Sequence, residues 1–208
     1  VTPRPVEGVY VDEELLAQAP QRTLCAGIAD GMAKLTEAAS ACLYPDNPPD
    51  PQWRSMMAQA VHLMDIYFTH APNALNGDRT ALEEVCYANL LLTAQITATG
   101  SRRRIGEVAH AFYNAVTCLF PTSHEAFLHG EIVGVGVLLE MELTGAVAGY
   151  TRKTLQAFLR DLLCCPVSLA ELRLPQDEIS LARLSAHISE KSGLSPMQVV
   201  VALRTLLV

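Results

Sequence analysis

Apolar residues return every three or four positions through most of the chain from residue 20 onward. That spacing lays one greasy stripe along an α-helix. It predicts helices near 20–43, 52–71, 78–99, 103–118, 125–147, 151–163, 177–191 and 196–206. Pro20 suits a first helical position. The predicted stops carry turn chemistry: Pro45 to Pro51, Asn73 to Gly77, Gly100-Ser101, Pro121-Thr122, Gly149, Pro166 and Gly193. Ahead of the first long helix, Val6 to Asp12 is rich in valine and tyrosine and reads as one strand, with Asp12 placed to cap the helical turn that follows. No internal repeat or low-complexity tract interrupts the pattern. The fold class expected is all-α, a helical bundle with one short N-terminal strand. A lone strand leaves backbone groups unpaired, so it is expected to belong to a sheet outside this chain.

Composition adjusts this picture in a few places. At 208 residues, half of them apolar, the chain can fill one sizeable core. The longest apolar stretch, Ile132 to Tyr150, carries Glu140, Glu142 and four glycines, which suits a buried helix and not a membrane span. A formal charge of −7 argues against broad nucleic-acid binding, which needs a basic surface. Six cysteines follow no metal-like or disulfide-like spacing, so they read as small hydrophobes in a reduced, cytoplasmic setting. No segment has the build of a signal peptide. Because the chain begins at Val1, it is expected to be a processed or excised piece.

The candidate chemistry lies in Asp30, His110 and His129. One carboxylate and two imidazoles suit a divalent metal and leave a coordination position open, as catalytic sites require. Asp30 sits in a predicted helix beside Ala26, Gly27, Ala33 and Lys34, whose small members would leave a groove. An acid facing such a groove needs a cation or donors; a plain salt bridge to Lys34 would also serve. His110 lies about ten positions before the break at Phe120 to Ser123, and His129 about nine after it. If the flanking helices form an antiparallel hairpin, the imidazoles face each other at one level. Gly130, Gly134 and Gly136 follow His129, and close helix packing is the simplest reason for them. Tyr113, Asn114 and Lys34 are candidate pocket residues. His62 with Asp65, His124 with Glu125, His70, His187 and Arg102 to Arg104 read mainly as surface or helix-end residues.

At these motifs the chain resembles the metal-dependent (iron-type) alcohol dehydrogenase superfamily, most closely its glycerol dehydrogenase branch. The likeness takes in Val9-Tyr-Val-Asp12, Ala26-Gly-Ile-Ala-Asp30, Glu37-Ala38, Ala109-His110-Ala111 through Asn114, His129-Gly130-Glu131, Pro166 to Leu172 and Pro196 to Leu203. The resemblance implies a metal held by Asp30, His110 and His129, with zinc usual and iron an alternative, and NAD or NADP as cofactor. It implies a small alcohol, polyol or hydroxy acid as substrate, and a homo-oligomer. The iron-dependent branch adds a histidine where this chain has Lys34, and the dehydroquinate synthase branch has a glutamate where this chain has Asp30. Lys34 is similar to relatives acting on 2-hydroxy acids or glycerol phosphate.

The Gly-rich turn by which that family binds nicotinamide has no counterpart here. Residues 1–19 are therefore expected to be the end of an α/β nucleotide-binding domain plus a linker, and 20–208 the helical metal-binding catalytic domain. The chain alone is expected to be inactive. Two readings from other classes remain: a metal-assisted hydrolase using the same three groups to activate water, and a non-catalytic helical interaction module. Metal content separates the latter from the others; cofactor binding separates dehydrogenase from hydrolase.

Overall fold

The computed structural model describes residues 8–40, 51–99, 107–145, 147 and 149–208. Among these, α-helices run α1 (Glu13–Ala17), α2 (Gln21–Ser40), α3 (Pro51–Leu75), α4 (Arg79–Thr99), α5 (Val108–Leu119), α6 (Pro121–Ala126), α7 (His129–Thr144), α8 (Arg152–Ala157), α9 (Glu178–Ser192) and α10 (Pro196–Arg204). A π-turn over Phe158–Leu162 extends α8. No sheet forms among the described residues; Val147 and Tyr150 make one isolated antiparallel bridge. The all-α expectation therefore matches the structure, and none of the described helices is long and apolar enough to cross a membrane.

Three expectations need correction. Residues 8–12 form no strand, and the start of the predicted 6–12 segment lies outside the described residues. Val9 and Tyr10 are exposed, with no neighbouring strand among the described residues to accept their hydrogen bonds. Asp12 does cap the next helix, accepting the Leu15 N–H at 3.0 Å. Next, α3 runs through Pro72 to Leu75 instead of ending at 71, so proline costs this helix one donor without stopping it. Finally, the helix predicted over 125–147 is two. Pro121 starts α6 early, and extended backbone at Phe127 and Leu128 separates it from α7. The Glu131 carboxylate accepts the Leu128 N–H at 2.8 Å, which restarts the chain as helix at His129. The helix expected from 103 is described from Val108, and Arg102 to Arg104 lie outside the described residues.

Helix α7 is the axis of the core. Its residues Gly130 to Met141 are all buried, including both glutamates in that stretch. A helix apolar all round must be covered on every side. Here α2 and α5 flank it, with α8 and α10 also in contact. Glycine lets the flanking helices approach. A Cβ placed on Gly130 would lie 2.6 Å from the Ala26 carbonyl carbon, and one on Gly136 would lie 2.8 Å from the Ala109 Cα. Close helix packing is thus the reason for Gly130 and Gly136. It also means that the small residue Ala26 on α2 seats a helix and does not line a groove.

The buried thiols of Cys25 and Cys165 behave as small hydrophobes: burial pushes them up to about 11 and about 12. The cysteines described are all unpaired.

Candidate metal centre

Two helices flanking α7, and the start of α7 itself, carry the chemistry. Asp30 sits midway along α2, His110 is the third residue of α5, and His129 is the first of α7. The imidazoles do meet, but not by the hairpin geometry the sequence suggested. A separate short helix, α6, intervenes, and the close packing of α5 on α7 brings the rings together with centroids 5.5 Å apart.

Asp30 is the hub. Its Oδ1 lies 3.0 Å from His129 Nε2 and 3.3 Å from His110 Nε2, while Oδ2 accepts from the Lys34 ammonium one turn along the same helix. One candidate ligand atom from each of Asp30, His110 and His129 lies within 4.8 Å of the other two. The simple salt bridge and the three-residue cluster, posed as rivals by the sequence, therefore coexist on one carboxylate. Tetrahedral zinc with ligands near 2.0–2.1 Å separates them by about 3.3 Å, so the two Asp30 distances fit that donor set. His129 is the most open of the three, at 45% side-chain exposure. The cluster thus has one face toward solvent and its back against the core.

The electrostatics follow from this geometry. Burial works against ionising Asp30, but hydrogen bonds from His110, His129 and Lys34 outweigh it and hold the carboxyl well below its ordinary range. Burial likewise disfavours the imidazolium of His110. Hydrogen bonds to Asp30 and Glu37 overcome it and raise the group to about 10. The Nε2 proton of a charged His110 would point at Asp30. A divalent ion would take that proton's place.

Several supporting groups had no role in the sequence reading. Glu37, buried on α2, accepts the His110 backbone N–H at 2.8 Å and faces its Nδ1 at 2.8–2.9 Å. Its signal was available: Asp30, Lys34 and Glu37 fall on one helical stripe. Deeper still, Glu140 of α7 is fully buried and accepts from Thr36 Oγ1 at 3.1 Å and Ser40 Oγ at 2.5 Å. Burial, and then the neighbouring Glu37 carboxylate, push Glu140 above the usual carboxylate range. Arg22 grips Glu131 with two bonds, 2.6 and 2.7 Å, and reaches the Ala126 carbonyl at 3.1 Å. This clamp pins the α6–α7 junction that presents His129.

Of the candidate pocket residues, Lys34 is in the cluster and Tyr113 borders it. The Tyr113 ring meets His129 edge-on at 4.2 Å, and its hydroxyl shares a 3.2 Å hydrogen bond with His124 Nε2. Asn114 is exposed and has no hydrogen bond to the cluster. His62 and Asp65 stand apart from it, and Asp65 accepts from the Tyr150 hydroxyl. His70, Glu125 and His187 take no part in it.

No protein-family model matches the chain. Sequence similarity connects it to an uncharacterized oxidoreductase of Synechocystis, 34% identical over 195 residues, covering 86% of this chain and 49% of that protein. A glycerol dehydrogenase of Pseudomonas putida is 28% identical over 192 residues, covering 89% and 50% respectively. Further curated relatives are named hydroxycarboxylate dehydrogenase and glycerol-1-phosphate dehydrogenase. The crystal structure of a probable glycerol dehydrogenase from Sinorhizobium meliloti shares the fold, with a TM-score of 0.74 at 23% identity, over 94% of this chain and 57% of that one. The chain spans about half the length of the curated relatives it matches.

Proposed function

Because this chain belongs to the metal-dependent (iron-type) alcohol dehydrogenase superfamily, we propose that it is the metal-binding half of an NAD(P)-dependent alcohol or polyol dehydrogenase of the glycerol dehydrogenase type. In this reading residues 20–208 form the helical domain, and residues 1–19 are the end of a nucleotide-binding domain and its linker. The observation that carries the reading is the convergence of one carboxylate and two imidazoles from three helices within 4.8 Å.

Asp30, His110 and His129 hold a divalent cation, zinc by family resemblance. When bound, the cation supplies Lewis acidity that lowers the pKa of a substrate hydroxyl and favours hydride loss to a nicotinamide. The chain's own tasks are positioning and exclusion of water. Asp30 and Glu37 orient His110 from two sides, the Arg22–Glu131 clamp sets His129, and Tyr113 packs edge-on against that ring.

Lys34 favours a second reading within the same superfamily, a 2-hydroxy acid or glycerol-phosphate dehydrogenase. Its ammonium already leans on Asp30. Once the carboxylate serves a cation, an anionic group on the substrate would be the natural counter-charge for Lys34.

Metal analysis tests the common core. The chain, purified without chelator and reconstituted with zinc, is expected to hold about one equivalent, and Asp30→Asn to hold far less. Wild-type chain free of zinc after reconstitution would overturn the reading in favour of the interaction module.

A further inference from the structure

We infer that Glu37 is a positioning residue that fixes His110 in the one tautomer able to bind a cation, and that α2 thereby supplies both a ligand and the group that aims a second ligand. This rests on the metal reading above.

The geometry is specific. Glu37 receives two different donors of the same residue, the His110 backbone N–H and the ring Nδ1. A carboxylate accepts and does not donate, so the ring proton facing it must sit on Nδ1. That leaves Nε2, which faces Asp30 at 3.3 Å, as the nitrogen whose lone pair is free once a cation displaces the other proton. The backbone contact supplies what a side-chain bond alone lacks. His110 stands in the first turn of α5, where N–H groups have no partner within the helix. The residue before that helix, Glu107, has left-handed backbone (φ 42°) and gives no side-chain cap. Glu37 fills that role from another helix, and the positive end of α5 favours its charge. Backbone and ring are thus held to one carboxylate, so turning the imidazole breaks its Nδ1 contacts with an acid that the backbone bond keeps beside it.

The carboxylate itself is buried. Glu37 is 5% exposed, and the next residue of this buried set, Glu140, is secured by Thr36 and Ser40, which flank Glu37 on α2. The resulting chain of acid, imidazole, acid runs from the mouth of the site into the core. Groups that orient a metal-bound histidine in this way typically change metal affinity by about 10- to 100-fold when removed.

A merely structural Glu37 would cap α5 and fill space, and Glu37→Gln would leave the zinc affinity alone. The experiment therefore measures zinc affinity by chelator competition in the wild-type chain and Glu37→Gln, with chelated thermal melts as a fold control. In parallel, nitrogen NMR reads which ring nitrogen of His110 carries the proton in the zinc-loaded chain. We expect zinc binding about 10- to 100-fold weaker in Glu37→Gln, and Nδ1–H with zinc on Nε2 in wild type. Equal zinc affinity in the two proteins overturns the inference while sparing the metal site. Zinc on Nδ1 of His110 overturns it whether or not the variant folds. Wild-type chain without zinc removes the metal reading, and this inference with it.

Discussion

Gly130→Ala and Gly134→Ala place the same methyl on the same helix and should have opposite effects. At Gly130 the new Cβ would sit 2.6 Å from the Ala26 carbonyl carbon and 3.0 Å from its Cα, with the carbonyl oxygen nearer still. These are backbone atoms of a long buried helix, so no rotamer change relieves the overlap. Either α2 or α7 must move by roughly 1 Å against a close-packed core. Overpacking of this kind costs typically 1–3 kcal/mol and sometimes more, and the alanine returns at most about 1 kcal/mol in helix propensity. A net loss of about 2 kcal/mol lowers the melting temperature of a chain this size by roughly 4–8 °C. At Gly134 the nearest atoms are the tip of Leu159 at 3.3 Å and the Ala29 Cβ at 3.6 Å. A leucine methyl can shift by tenths of an ångström, so Gly134→Ala should be neutral or stabilising by up to about 1 kcal/mol. Calorimetric melts of the three chelated proteins provide the comparison. Ala26 lies one turn before Asp30, and Gly130 adjoins His129, so Gly130→Ala should also weaken zinc binding while Gly134→Ala should not. If Gly130→Ala melts as high as Gly134→Ala, the claim that glycine sets the α2–α7 separation is wrong.

Further outcomes concern the charges. In the chelated protein His110 is raised from 6.5 to about 10, so the stability it contributes is complete below 6.5 and lost as pH rises toward 10. Denaturant midpoints over that range should fall in wild type and fall less in His110→Asn; parallel slopes would contradict the assignment. Asp30 acts in the opposite sense, contributing stability above its ordinary value of 3.8 that is lost on strong acidification. Asp30→Asn should accordingly flatten the acid limb of the same curve. Glu140, raised by burial, favours the folded state only while protonated, so its contribution drains away as pH climbs from about 4.5. Glu140→Gln keeps an oxygen for Thr36 and Ser40 but removes the charge, and should be at least as stable as wild type at pH 9. A variant markedly less stable there would show that the carboxylate itself is needed.

The bundle was legible because its helices advertise themselves by stripe and by stop. Pro196 and Gly193 mark real ends, with Gly193 in left-handed backbone (φ 75°). Asp30, His110 and His129 stood out as polar residues in apolar helical stretches. Their meeting was correctly anticipated, though the path between the two histidines was not. The break before His129 has no Ser, Thr or Asp cap to announce it. It depends on Glu131 reaching back to Leu128 and on Arg22, 109 positions away from that glutamate, holding the carboxylate. Contacts of such long sequence separation leave no local trace. The same holds for Glu37, which looks like an ordinary helix-surface acid until α5 is laid against α2, and for the bonds that Thr36 and Ser40 give Glu140. Residues 8–12 pair with no strand among the described residues, in keeping with a valine and tyrosine run that states a preference and needs a second segment to satisfy it.

Asp30 and Glu37 stand two turns apart on a single unbroken helix. Hydrogen bonds internal to α2 set the distance between these acids, so it is a ruler that heat or strain cannot easily stretch. The two imidazoles ride on other helices and are located only by tertiary packing. Any loosening of the bundle short of melting will therefore slide histidines past a fixed pair of carboxylates. Breathing in this region should be seen first in ring motions of His110 and His129, with the α2 amides still protected from exchange.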